Sequence, residues 1–206
     1  MSNKAVFGLV IAAGLVASML AAPVLASALT DFLNIYSARV YVNPDTDRLW
    51  ATLATGGKIP TDGSAGAFGY GILTKDGNAI LVSTSHAGVL DSEDQKFIMD
   101  PVFHNHLVTL GKVDRCGINP GVVDITWQSP GRVLIDENQA RIASIPTSEI
   151  HATHSITGEH LKMKLGEEVS GAVSFKLMPI FGDTGLKAVC VKDIKPAKNL
   201  EVIIVE

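Results

Sequence analysis

A chain of 206 residues, 47% of them hydrophobic and 18% charged, carries enough apolar material for one globular core. Its net charge is −4 and its 17 Lys and Arg are scattered without forming a run, which excludes the clustered cationic surface that a phosphate backbone requires. No nucleic-acid partner is expected, and the acidic balance serves mainly solubility.

The N-terminus reads differently from the rest. Lys4 is followed by an uncharged apolar run over residues 5–25 and then by Ala26-Ser27-Ala28, a small-x-small triplet of the kind found at signal-peptide cleavage sites. Residues 1–28 are therefore expected to be a signal peptide. Uncleaved, the same run is apolar enough to anchor the chain in a bilayer as a helix, because no charge stands between Lys4 and Asp31. Either way residues 29–206 are expected outside the cytoplasm as a single domain, secreted or held at the cell envelope. Membrane contact is expected only through this segment if it is retained, and a protein partner is left open.

Residues 31–42 (DFLNIYSARVYV) read as a strand entering the domain. Asn43-Pro44-Asp45-Thr46-Asp47 reads as a turn. Its spacing resembles the opening of a calcium loop, but Arg48 stands at the glycine position and Ala54 at that of the bidentate acid, so a solvated turn is expected. A short strand over 49–54 leads to the glycine-rich stretch 55–67, which lacks the G-K-[ST] ending of a phosphate-binding loop and reads as mobile surface. In FGYGIL, strand alternation puts Phe68, Tyr70 and Ile72 on one face and Gly69 and Gly71 on the other, leaving room there for a close neighbour. Lys75-Asp76-Gly77 predicts a hairpin turn, and the returning strand AILVSTS delivers His86 at its end. Asp91-Ser92-Glu93-Asp94 reads as a helix cap or solvated acidic loop rather than a cation site.

The densest chemistry lies in residues 100–116, DPVFHNHLVTLGKVDRC. On a strand, His104 and His106 project from one face together with Val102, Val108 and Leu110. Two imidazoles at this spacing can chelate one copper or zinc ion, provided that a further ligand arrives from elsewhere in the fold. His154, His151 and His86 are the candidates for that ligand; the alternative is a pair of hydrogen-bonded histidines without a metal. His160 alternates with Lys162 and Lys164 and should face solvent.

After Cys116 the pattern is of short strands and turns: VVDITW with Val123, Ile125 and Trp127 on one face, RVLID, residues 138–145, VSFKL, LKAVCVKDI and LEVIIV. No sustained helical period follows the leader. The expected fold class is all-β, a Greek-key β-sandwich or barrel preceded by an N-terminal signal or anchor helix. Trp50, Tyr70 and Trp127 are expected in its core. Cys116 and Cys190 are the only cysteines, and an even count in an exported chain predicts a disulfide, with two buried thiols as the alternative. The chain has no G-x-S-x-G, H-E-x-x-H or C-x-x-C motif, which removes the well-marked hydrolase, zinc-protease and thiol-redox classes.

Phe103-His104-Asn105-His106, followed by Cys116, a later histidine and Cys190 in a late strand, resembles the order found in copper/zinc superoxide dismutases. The resemblance implies that His104 and His106 are copper ligands, that a histidine of the 151–154 region completes the site, and that Cys116 and Cys190 form the disulfide. The chain departs from that family in having no histidine between Cys116 and His151, so the bridging histidine and zinc site are missing, and no late-strand arginine to guide superoxide. Three functions compete: a secreted or cell-surface β-sandwich binding copper or zinc for storage, delivery or redox chemistry; a structural or interaction module without metal; and a dismutase-like copper enzyme.

Overall fold

The computed structural model describes residues 31–206, so the signal or anchor segment lies outside the described residues. The described residues are all-β, with thirteen strands and three single-turn 3-10 segments. In chain order the strands are β1 (Ile35–Asn43), β2 (Arg48–Thr55), β3 (Phe68–Thr74), β4 (Ile80–Ser85), β5 (His104–Lys112), β6 (Pro120–Ile125), β7 (Arg132–Asp136), β8 (Gln139–Pro146), β9 (Glu149–Thr153), β10 (His160–Lys164), β11 (Val169–Gly182), β12 (Gly185–Pro196) and β13 (Leu200–Ile204). Among the described residues no helix is long and apolar enough to cross a membrane.

Six strands close into an antiparallel barrel in the order β11-β12-β6-β5-β4-β3, with β11 pairing back onto β3. Four of them, β3 to β6, follow one another as hairpins, and the chain returns much later to place β11 beside β3, an extended form of the Greek-key return. Between those visits the chain builds β7 to β10. A second, five-stranded sheet runs β13-β1-β2-β8-β7, with β13 parallel to β1 and every other pair antiparallel. Strands β9 and β10 pair separately as a hairpin.

Strand alternation sorts the barrel residues into two cores. Phe68, Tyr70 and Ile72 of β3, Leu81 of β4 and Leu107 of β5 point out of the barrel and pack against Val40, Leu49, Leu53 and Ile142 of the five-stranded sheet. The next residues along, Val82 and Val108, point inward and with Phe175 of β11 and Val191 of β12 form a separate apolar cluster in the lumen. The expected sandwich is thus a sheet laid on the outside of a closed barrel, and the barrel has an interior of its own. Gly69 and Gly71 make that interior possible. A Cβ at Gly69 would stand 2.7 Å from Ser83 O and 2.9 Å from Phe175 Cζ, so only glycine lets the Phe175 ring cross the inner face of β3.

Three local readings change. Val123 and Ile125 do not simply share a strand face, because β6 carries one extra residue opposite the Thr109/Leu110 step and bulges there, leaving Val123 half-exposed. Tyr70 is fully buried, but Trp50 and Trp127 sit at intermediate depth, flanking the core instead of filling it. The loop over residues 55–67 is also less free than its glycines imply: Ile59 is buried and its N–H donates to Glu137 O at 2.8 Å.

Cys116 and Cys190 form a disulfide between the turn after β5 and the middle of β12. The bond lies at the barrel's thinnest seam, where β12 pairs with β6 through Cys190 and Gly121 alone. Gly121 is what leaves it room, because a Cβ there would stand 3.1 Å from Cys116 Sγ and closer still to Val113.

Candidate metal centre

The β4–β5 hairpin sets the first three side chains. His86 directly follows the last residue of β4, and pairing of Thr84 with His104 and of Val82 with His106 places the two β5 histidines beside that strand end. Even spacing along β5 aims His104 and His106 to the inner side, the side that continues as Val108 and Leu110 into the lumen. The rings of His86, His104 and His106 stand nearly perpendicular in succession, with centroids 4.9 and 4.8 Å apart.

The fourth group comes from the connection between these strands. Gly88 N–H donates to Ile98 O at 2.7 Å and folds the segment back on itself. Gln95 then pins its inner part: Gln95 Oε1 accepts from Asp91 N at 3.0 Å, while its amide donates to Val89 O and Asp100 O. The result drives Asp91 inward, where Oδ1 lies 3.3 Å from His86 Nε2, 3.5 Å from His104 Nε2 and 3.7 Å from His106 Nε2. One donor atom from each of the four residues lies within 4.8 Å of the others, and all four residues are buried. The cluster can hold a metal ion.

Hydrogen bonds settle which atoms face inward. His106 Nδ1–H donates to Thr126 O at 2.7 Å and His104 Nδ1–H to Val102 O at 2.9 Å, so Nε2 of each ring presents its lone pair to the cluster. Burial pushes the His106 imidazole below its ordinary pKa, against the opposing pull of Asp91, and keeps the ring neutral at pH 7. The free Nε2 atoms of His104 and His106 thus face Asp91 Oδ1 across a buried gap of 3.5 and 3.7 Å. Asp91 Oδ1, His104 Nε2 and His106 Nε2 have no hydrogen-bond partner, an arrangement that costs free energy unless a cation draws the lone pairs together. A proton on one ring would join only that ring to Asp91; a metal ion at the point of convergence would serve all four groups.

His86, His104 and His106 thus come together as sequence candidates, and His151 and His154 do not join them. His151 is exposed on β9 beside Glu149, its ring 5.8 Å from that of His160. His154 is buried near the lumen but both its nitrogens are spent: Nε2–H donates to Val123 O, and Nδ1 accepts from the N–H groups of Ile156 and Thr157. It locks a turn. His160 is exposed, as its alternation with lysines predicts. Asp91 corrects the reading of residues 91–94 as a solvated acidic stretch, since that one carboxylate is buried while Glu93 and Asp94 remain exposed.

Because Gln95 touches none of the inward-facing atoms, its replacement isolates the positioning of Asp91. Gln95→Ala is expected to weaken metal binding about 10–100-fold, as removal of ligand-orienting hydrogen bonds commonly does, measured by competition with a chelator of known affinity. Unchanged affinity would mean that the Asp91 loop is held by other contacts.

No family model, curated protein or solved structure matches the chain. Function therefore rests on the geometry of the site.

Proposed function

We propose that this is an exported metal-binding β-barrel protein whose centre holds one divalent transition-metal ion, zinc or copper, through His86, Asp91, His104 and His106. The observation that carries this reading is the convergence of four buried donor groups whose inward atoms include three without any partner. Tetrahedral coordination with bonds of about 2.0 Å spaces neighbouring donors about 3.3 Å apart. The distances of 3.3, 3.5 and 3.7 Å from Asp91 to the three histidines lie near that edge, and the whole donor set falls within 4.8 Å, close enough to draw in around one ion. Export is supported by the leader-like residues 1–28 and by the disulfide, which suits an oxidising compartment.

The likeness to copper/zinc superoxide dismutases extends to the His-x-His pair and the disulfide, but the third histidine is His86 rather than one from residues 151–154, and a carboxylate completes the set. A metal-binding role fits this donor set better than dismutation. Titration of metal-free protein with Zn²⁺ is expected to saturate at one equivalent and to raise thermal stability, by about 4 kcal/mol when free metal exceeds Kd a thousandfold. Weak, non-stoichiometric binding of both Zn²⁺ and Cu²⁺ with no thermal shift would favour the structural module instead.

A further inference from the structure

The metal centre does not close off the barrel. His86, Asp91 and His106 line one end of a lumen cavity of about 320 Å³, while His104 lies behind them. Beyond the donors the wall is mostly hydrocarbon, with Val82, Val108, Leu110, Val173, Phe175 and Val191 all facing in. Val123, Ile156 and Ile194 also line the cavity and are about half-exposed, so it reaches solvent through an apolar rim. The volume lies at the lower end of the range of about 300–1,000 Å³ typical of small-molecule sites, and a dry wall with a few convergent polar groups is the usual make-up of such sites.

Charge adds a requirement at the metal end. A divalent ion held by three neutral imidazoles and one carboxylate leaves the centre with one net positive charge, facing a lining whose other polar residues, Thr84, His154, Thr157 and Lys187, include no second carboxylate. An anionic oxygen donor neutralises it, and the rest of such a molecule must be apolar to suit the wall.

Resting on the metal-binding reading above, we infer that the lumen is the binding site for a small apolar monoanion, a carboxylate or phenolate type of molecule, whose oxygen adds to the metal while its hydrocarbon part fills the barrel. The four protein donors leave the ion room to expand to five-coordination toward the lumen.

Cobalt(II)-loaded protein tests this, with the visible d–d bands as readout and acetate, benzoate and benzamide as probes. Benzoate should perturb the bands and bind at least about tenfold tighter than acetate, because its ring leaves water for the lumen wall. Benzamide, with the same ring and no charge, should bind more weakly than benzoate. Metal-free protein should not bind benzoate, since its carboxylate would then meet Asp91. Val191→Trp, which fills the lumen without touching a donor, should retain cobalt and lose the preference for benzoate; if that variant does not fold, the comparison of acetate with benzoate on the native protein decides. Equal affinity for the two carboxylates, or equal benzoate binding with and without cobalt, would overturn the lumen proposal while leaving the metal centre standing. Failure of the protein to take up cobalt, zinc or copper would overturn the metal centre and the lumen proposal with it.

Discussion

Replacing His104 and His106 together by alanine is expected to lower metal affinity by at least about a thousandfold, more than the 10–100-fold that loss of a ligand-orienting partner costs. The two rings supply half of the donor set, and each is held in the tautomer that points Nε2 at Asp91. The fold should survive the change. In metal-free protein the substitutions remove two unpartnered buried nitrogens, which offsets part of the packing lost from β5. His151→Ala serves as the contrast, because that ring is exposed and remote from the other donors; it should leave stoichiometry and affinity unchanged. Elemental analysis beside a chelator competition reads both variants. Equal metal content in the double variant and the native protein would remove the chelate from the account.

The second large effect falls on stability. Breaking the disulfide with Cys116→Ser/Cys190→Ser is expected to cost about 2–5 kcal/mol, since the bond closes a loop spanning 74 positions. For a domain of this size that corresponds to a fall of about 5–15 °C in Tm. The position of the bond adds a structural consequence: β6 and β12 share one residue pair, and that pair includes Cys190, so the seam should loosen before the rest of the barrel. Hydrogen exchange in the variant should rise first along β6 and β12. Uniform exchange across all six barrel strands would mean that the seam is held by packing in the lumen and not by the covalent link. Because Val122, Ile125 and Val191 lie on these strands, a loosened seam should also weaken any ligand held in the lumen more than the metal itself.

Much of this architecture was legible from period-two alternation. The FGYGIL, AILVSTS and HNHLVTL segments announce β3, β4 and β5; the Asp76-Gly77 segment joins the first two, but Gly77 does not take the positive φ of a short Asp-Gly turn and is needed instead where the chain passes against Leu165 O. The gap left by Gly69 and Gly71 was readable as room for a close neighbour, although only the fold shows that Phe175 takes it. Alternation alone does not reveal which face of a strand looks into a barrel and which onto a second sheet, because both faces of β4 are buried and apolar or hydroxylic. That is why a sandwich and a barrel looked equivalent. At the site, the His-x-His spacing and the strand-end position of His86 carry real geometric information. Asp91 does not, because its inward turn depends on Gln95 and on backbone bonds such as Gly88 to Ile98, and a run of acidic residues reads as solvated unless those contacts are known. His154 misleads in the opposite direction: its polar, buried setting is produced by a turn that consumes both ring nitrogens.

X-ray absorption at the zinc edge of fully loaded protein addresses the central claim most directly. Three histidine nitrogens and one carboxylate oxygen should give a first shell of four N/O scatterers at about 2.0–2.1 Å, with the outer-shell pattern of about three imidazoles. A first shell dominated by water, or an outer shell showing one imidazole or none, would place the metal elsewhere and contradict the account.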